Sequence, residues 1–218
     1  MERRIAERNR PDIVAYKRNY YFPMLRRVRL LERLRYMDES SLQSWMCLKK
    51  KGRAPLGVRL RINRPNPGRQ QYTLLGLTSA RDDTRPFIGS FIAGGVRLPD
   101  MVEFWHRIDV IESILPGDVV IFDNFSVHHC ADFLSYLHLV LRARGATFTF
   151  LPQYHCELNP IENTFGWIKL GLRRHNRGDD DLLLTAAKER IAALPLSMMK
   201  NWYRKAIKHA ESDEVWHQ

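Results

Sequence analysis

The stretch VVIFDNFSVHH at residues 119–129 sets an acidic residue directly after a short, continuous apolar run. Such a run, preceded here by the turn residues Pro116-Gly117, is typical of a strand buried inside a sheet. We therefore predict a strand over residues 119–123 that carries the Asp123 carboxylate at its carboxyl end.

Other elements extend from this strand in both directions. A helix is predicted after it that stops near Gly145, and one before it from apolar residues at helical spacing, namely Met101, Phe104, Trp105, Ile108 and Ile111. Strand character marks LRYMD ending at Asp38, SWMCL at 44–48, VRLRI at 58–62, YTLLGLT at 72–78, FIGSFIA at 87–93 and TFTFL at 147–151. Asn159-Pro160 suits the start of a helix, and two amphipathic stretches follow, at 180–193 and 196–210. This order predicts an α/β fold with one mixed sheet flanked by helices.

The first residues of the chain suit a short helix that leads into this fold. Pro11 is placed to begin it and Pro23 to limit it at about Phe22. We expect this helix to be a lead-in rather than an element of the core.

The charge of the chain is strongly positive and unevenly distributed. The formal net charge is +11, and residues 1–69 hold 19 Lys and Arg against 6 Asp and Glu, whereas residues 70–218 hold 16 against 18. A basic surface of this kind favours polyanionic partners, because each neutralised phosphate releases condensed counterions. No cation-rich stretch offers the broad apolar face of a membrane anchor, and neither a long apolar run nor a signal peptide is evident. We expect nucleic acid as the partner, no membrane association and an intracellular location, which is the nucleus in a eukaryote or the cytoplasm in a bacterium.

Three acidic residues are placed to meet at one edge of the predicted sheet. Asp38 and Asp123 each end a predicted strand, so their carboxylates share an edge if the two strands are parallel neighbours. Glu162 lies in the first turn of a later helix and can approach the same edge. Converging carboxylates repel one another unless a cation is bound, and Mg²⁺ prefers such oxygen ligands. The alternative is that the aspartates only end strands and Glu162 only caps its helix.

The sequences around these acids resemble one family closely. YMDES at 36–40, VIFDNFSVHH at 120–129 and LPQYHCELNPIENTFGWIKLGLRR at 151–174 are similar to the mariner-like and insertion-sequence branch of the DDE transposases. The family block LPxYSPxLNPIExxWxxxK supplies its last acid, and 38 residues separate Asp123 from Glu162 here, a spacing in the family's range. The resemblance covers about residues 33–175, including GRAPLG at 52–57.

The resemblance implies an RNase H-like fold with a mixed five-stranded sheet and a DNA-cleaving site. Asp38, Asp123 and Glu162 become the catalytic and metal-binding residues, holding two Mg²⁺ ions for which Mn²⁺ may substitute. The implied reaction is cleavage at transposon ends followed by strand transfer to target DNA, with double-stranded DNA as partner, a possible homodimer and no nucleotide cofactor. The implied organisation is a basic linker helix over 1–32, a catalytic domain over 33–178 and C-terminal helices over 179–218 that pack on it.

The chain departs from the family pattern in its site loop and at its amino end. The usual Tyr-Ser-Pro-Asp is Tyr154-His155-Cys156-Glu157 here, and Phe165 stands where Trp is common. Full-length members carry helix-turn-helix modules before the catalytic domain, for which residues 1–35 leave no room. We therefore expect a catalytic domain with its preceding linker.

Several other residues are candidates for DNA contact. A basic turn of Lys49, Lys50, Lys51 and Arg53 is suited to grip the DNA backbone beside Asp38, although a solvated loop explains it equally. His128 is suited to lie near the metal edge and orient a phosphate or water. The spacing of the histidines and of Cys130 and Cys156 matches no zinc motif.

Two other functions stay open at this stage. One is a noncatalytic DNA-binding or assembly protein derived from a transposase, which would bind DNA without nicking it. The other is an RNase H-like nuclease that cleaves RNA–DNA hybrids rather than duplex ends.

Overall fold

The structure is a computed structural model that describes residues 7–28, 30–43, 55–57, 71–172 and 180–215. Five strands are present: β1 (Leu34–Leu42), β2 (Tyr72–Thr78), β3 (Phe87–Ala93), β4 (Val119–Phe122) and β5 (Thr147–Phe150). They form one sheet in the order β3-β2-β1-β4-β5. β1 and β4, and β4 and β5, are parallel, while β2 is antiparallel to both of its neighbours. The prediction of a mixed five-stranded sheet flanked by helices is confirmed, and the predicted strands at 44–48 and 58–62 lie outside the described residues.

The helices of the fold lie before, between and after these strands. Helix α1 is continuous through α-helical Pro11–Tyr16, a π-helical turn Lys17–Tyr21 and α-helical Phe22–Arg27. The others are α2 (Leu98–His106), α3 (Ile108–Ser113), α4 (Ala131–Ala143), α5 (Pro160–Leu172), α6 (Asp180–Ala192) and α7 (Leu196–Val215). Within the described residues, none of these helices combines the length and apolarity that crossing a bilayer requires.

Side chains alternate along the strands between two cores, one on each face of the sheet. Tyr36 and Leu74 belong to the core shared with α1, α5, α6 and α7, and Tyr36 packs edge-on against Tyr203 at 5.1 Å between ring centroids. Met37 and Leu75, one residue further along, belong to the core shared with α2, α3 and α4. Helices therefore cover both faces of the sheet. The carboxyl ends of the parallel strands β1, β4 and β5 lie together on one side, called the carboxyl edge below.

Helix α1 differs from the predicted lead-in in length and in burial. It does not stop before Pro23 but continues to Arg27, because Pro23 lies in the first turn after the π-helical turn, where a missing N–H is tolerated. Tyr21 and Phe22 are part of the core. The prediction that this helix stays outside the core was therefore wrong.

Two other predicted boundaries also differ. β1 does not end at Asp38: its pairing with β4 ends at Met37, but its pairing with β2 continues from Asp38 to Leu42, so Asp38 lies inside a strand. The helix predicted across 101–111 is two helices, since Arg107 has extended backbone and its guanidinium donates to the carbonyl of Gly89.

A buried ion cluster closes the amino edge of the sheet, opposite the carboxyl edge. Asp118, just before β4, lies 3.2 Å from Arg35 Nη2 and 2.7 Å from Arg81 Nη2. The side chains of Arg35 and Asp118 are fully buried. Burial lowers the pKa of Arg35 and Asp118 opposes that shift, so the carboxylate supplies the direct counter-charge to the buried guanidinium.

Candidate active site

Asp38 is the most buried acid at the carboxyl edge of the sheet. Its side chain accepts hydrogen bonds from the backbone N–H of Glu39 (2.7 Å, Oδ1) and from Asn159 Nδ2 (2.9 Å, Oδ2). Burial, then repulsion by Asp123, raises the pKa of Asp38 to about 8. The ionised form of such a buried carboxyl destabilises the fold, and a bound cation would stabilise that ionised form.

Asp123 follows β4 directly and lies beside Asp38, because the parallel register pairs Met37 with Phe122. The Asp123 side chain is about a third exposed, at 35%. Its Oδ1 accepts a hydrogen bond from the backbone N–H of Phe125 at 3.1 Å, which fixes the carboxylate over the start of the following turn. The two aspartates are thus neighbours at one edge, as the parallel arrangement of their strands requires.

His128 is held between two carboxylates and is 1% exposed. Its Nδ1 lies 2.6 Å from Asp123 Oδ1 and its Nε2 lies 3.2 Å from Glu39 Oε2. Burial by itself lowers the pKa of His128, but the neighbouring Asp123 and Glu39 carboxylates outweigh it and raise the pKa to about 10. The predicted role of His128 as a DNA contact does not fit this burial; the imidazolium instead positions the Asp123 carboxylate.

Glu162 is the third residue of α5 and lines the same cavity as Asp38 and Asp123. Its charge contributes to the raised pKa of Asp38. The preceding Asn159 was expected to cap this helix, but its side-chain amide donates to Asp38 instead. Asn159 therefore links the start of α5 to the buried aspartate, a role that capping statistics do not predict.

Lys169 is a site residue that the sequence analysis did not single out. Burial lowers its pKa, the Glu162 and Asp38 carboxylates oppose that shift, and its Nζ donates to Ser40 Oγ at 2.7 Å. A signal was available, because Lys169 matches the final lysine of the family block LNPIExxWxxxK. The candidate DNA contacts Lys49, Lys50, Lys51 and Arg53 lie outside the described residues.

The cavity between these acids measures about 680 Å³ and is also lined by residues 151–156. Its donors at the sheet edge are carboxylate oxygens, which is the set that a hard divalent cation takes. Across the described ranges, no three acidic, histidine or cysteine side chains already stand as close together as in a formed metal site. The Asp38, Asp123 and Glu162 carboxyl groups that line the cavity are nevertheless the oxygen donors that Mg²⁺ or Mn²⁺ takes, so the donor chemistry fits these ions.

Replacing His128 by alanine is expected to lower the free energy of unfolding by about 3 kcal/mol near pH 7, since it leaves two partly buried carboxylates without their cation. The folded-state pKa of about 10 exceeds the ordinary 6.5, so this stabilisation is complete below pH 6.5 and is lost as the pH rises through 10. Urea unfolding of wild type and variant between pH 6 and 10 measures it. His129→Ala is the matched control, because His129 is the exposed neighbouring histidine and stacks on Phe150 rather than lying between the two carboxylates. A constant difference across this pH range would contradict the ion-pair assignment.

The comparisons with known proteins identify the family of the chain and agree with its fold. Residues 33–183 match the family described as DDE superfamily endonuclease, which is more than half of the chain, and the chain belongs to this family. No curated protein sequence matches the chain significantly.

Among solved structures, the fold resembles that of the Mos1 mariner transposase. A pre-cleavage Mos1 transpososome aligns with a TM-score of 0.70 at 13% identity, covering 94% of this chain and 62% of that one. A Mos1 paired-end complex with Mg aligns with a TM-score of 0.68 at 14% identity, covering 96% of this chain and 63% of that one. The isolated Mos1 catalytic domain aligns with a TM-score of 0.63 at 12% identity, covering 93% of this chain and 92% of that one. The chain thus spans about three fifths of the full Mos1 chains, and at such identities the likeness shows the RNase H-like fold.

Proposed function

We propose that this chain is the catalytic domain of a cut-and-paste DNA transposase, which cleaves phosphodiester bonds at transposon ends and joins the freed 3′-hydroxyl to target DNA. The observation that carries this proposal is that Asp38, Asp123 and Glu162, at the positions of the family's three acids, line one cavity at the carboxyl edge of the sheet. Support for DNA as substrate comes from the Mos1 structures, which are described as transpososome and transposon-end complexes.

The chain's own residues supply the framework for this reaction. Asp38, Asp123 and Glu162 would hold two Mg²⁺ ions, or Mn²⁺ in their place, as the Mos1 complexes with Mg and Mn suggest. When bound, such ions stabilise the attacking and leaving oxygens of a phosphoryl group. Asn159 fixes one oxygen of Asp38, and His128 fixes one oxygen of Asp123, so both carboxylates are oriented before a cation binds.

The excess of Lys and Arg over Asp and Glu in the first third of the chain supports double-stranded DNA as the partner, since many cations on one surface favour binding to a polyanion. We further propose an intracellular location where DNA is held and a homodimer that pairs two transposon ends.

A nicking assay on supercoiled plasmid with Mg²⁺ or Mn²⁺ tests the proposal. Wild type is expected to relax the plasmid only when the metal is present, and Asp123→Ala to lose at least about 10³-fold in rate while its affinity for DNA is retained. Asp132→Ala is the matched control, because Asp132 is an exposed acid in the first turn of α4.

The same assay separates the two alternatives. DNA binding without nicking by either protein would favour an inactive transposase-derived DNA-binding protein. Cleavage of RNA–DNA hybrids without cleavage of duplex DNA would favour the hybrid nuclease.

A further inference from the structure

Helix α1 and the residues just before it contact the segment that enters the active site. This segment, residues 151–158, runs from β5 to α5 and is called the site loop below. Arg8 Nη2 lies 2.8 Å from Glu157 Oε2, and Lys17 Nζ lies 3.2 Å from His155 Nε2. Tyr16 additionally donates its hydroxyl to the carbonyl of Phe150 at 2.7 Å, at the end of β5. Residues 8–27, called the amino-terminal segment below, thus contact the site loop at its start and near its end.

The contact between Lys17 and His155 is buried, with exposed fractions of 1% and 3%. His155 Nδ1 lies 2.7 Å from the carbonyl of Gln153, which can only accept, so Nδ1 carries the proton. The Nε2 atom is then the acceptor, and the Lys17 ammonium donates to it. Lys17 reaches this position from the π-helical turn of α1, and such turns are frequent at functional sites.

The site loop contains a backbone conformation that needs support. Tyr154 has φ of +64°, in the left-handed region, which carries a steric cost for a residue with a side chain. The next residue, His155, is the one that Lys17 holds. A conformation of this cost persists when neighbouring contacts determine it, and the two contacts from the amino-terminal segment lie on either side of Cys156.

The positions that α1 contacts are also positions where this sequence departs from the family pattern. His155 stands where the family has serine, and Glu157 where it has aspartate. His155 provides the acceptor for Lys17, and the longer Glu157 side chain reaches Arg8. The departures in the loop are therefore matched by residues in the amino-terminal segment.

We propose that Arg8 and Lys17 are positioning residues of the active site, and that the amino-terminal segment holds the site loop in the arrangement that places Asn159 and Glu162 beside Asp38. The proposal rests on the proposed function for its catalytic consequence. The site loop leads directly into Asn159, whose amide reaches Asp38, and into the first turn of α5, which carries Glu162. Releasing the loop would therefore shift one contact of Asp38 and one of the three acids together.

Hydrogen exchange of the loop amides tests the structural half of the proposal without requiring any activity. In Lys17→Met and in Arg8→Ala, exchange at residues 153–158 is expected to accelerate about tenfold, with exchange in β1 and β4 unchanged. Arg27→Ala is the matched control, because Arg27 is an exposed arginine at the end of α1 that makes no contact with the site loop among the described residues. Arg8→Ala keeps the test decisive if the buried Lys17 variant fails to fold. Unchanged exchange in a folded variant would overturn the proposal.

Cleavage kinetics test the catalytic half. Each variant is expected to lose about tenfold in kcat with KM for DNA within about twofold, because a displaced site costs rate more than binding. In the double variant Lys17→Met/His155→Ser, the loss in kcat should not exceed that of either single variant, since both substitutions remove the same contact between Lys17 and His155. Additive losses, or normal kcat in a variant whose loop exchange has risen, would overturn it. If wild type itself does not cleave, the proposed function fails, and loop exchange alone decides whether α1 holds the loop.

Discussion

Asp38→Asn is expected to reduce DNA cleavage by at least about 10³-fold while making the metal-free protein more stable at alkaline pH. The loss follows because an amide cannot provide the anionic oxygen that a divalent cation needs. The gain follows because burial and then Asp123 hold the pKa of Asp38 at about 8, above the ordinary 3.8. With a raised folded-state pKa, the stability that Asp38 contributes is complete below pH 3.8 and is lost as the pH rises through 8. Asparagine carries no charge at any of these pH values, so the variant does not lose stability in this way. At about pH 9 we expect its free energy of unfolding to exceed that of the metal-free wild type by a few kcal/mol.

The structure also indicates that asparagine is accommodated at this position. Asn159 donates to one oxygen of Asp38, and the Oδ1 atom of Asn159 finds no hydrogen-bond partner among the described residues. A flip of the Asn159 amide would let it accept from the new side chain, so both groups remain bonded.

Urea unfolding at pH 6 and pH 9, with and without Mg²⁺, measures this prediction beside the nicking assay. Mg²⁺ should stabilise wild type at pH 9 and leave Asp38→Asn unchanged, because only the carboxylate gains from the ion. Asp132→Asn, at an exposed position, should change neither cleavage nor stability. A variant that is less stable than wild type at pH 9, or that still cleaves, would contradict the assignment of Asp38.

Asp118→Asn is expected to destabilise the protein by about 3–5 kcal/mol without directly altering the active site. The variant leaves the fully buried Arg35 guanidinium without the Asp118 counter-charge and removes the shorter of two ion pairs of Arg81, whose other partner is Asp83 at 3.8 Å. Asp118 also accepts a hydrogen bond from the backbone N–H of Leu115 at 3.0 Å, and an amide can keep that bond, so the effect isolates the charge.

Urea unfolding measures the effect, and the cleavage rate per folded molecule is expected to stay normal because the cluster lies at the opposite edge of the sheet. Asp82→Asn removes an ion pair with Lys200 in which the aspartate side chain is 74% exposed, and it should change stability by less than about 1 kcal/mol. A loss in Asp118→Asn as small as that in Asp82→Asn would show that the buried arginines do not depend on the carboxylate.

The sequence predicted the elements whose patterns are local. The apolar run before Asp123 identified β4, and the stretches at 72–78 and 87–93 match β2 and β3. The end of β1 was predicted too early, because the residues after Asp38 are held in a strand by β2, a partner that the local pattern does not show. The end of the first helix at about Phe22 was likewise predicted too early, since the π-helical turn that lets the helix continue past Pro23 is set by packing rather than by propensity.

The acids of the site were predicted from motifs, but their support was not. Asn159, Glu39 and Lys169 act through contacts with residues distant in sequence, which spacing cannot reveal. His128 was placed near the acids, but its burial depends on the packing of Phe122 and Phe125 around the ring. The contacts of α1 with the site loop, 138 residues apart for Lys17 and His155, lay beyond any local pattern.

The position of β1 in the sheet has a consequence for synthesis of the chain. β1 is translated early, but its parallel partner β4 comes much later in the chain, after β2, β3 and two helices. In the parallel register, Leu34 of β1 pairs with Val119 of β4. Parallel pairing over such a separation is slow and waits for the later strand. The acid on α5 emerges later still. A ribosome that stops before residue 119 therefore releases a fragment that holds only Asp38 of the three acids, and the cavity that Asp38, Asp123 and Glu162 line together arises only from a nearly finished chain.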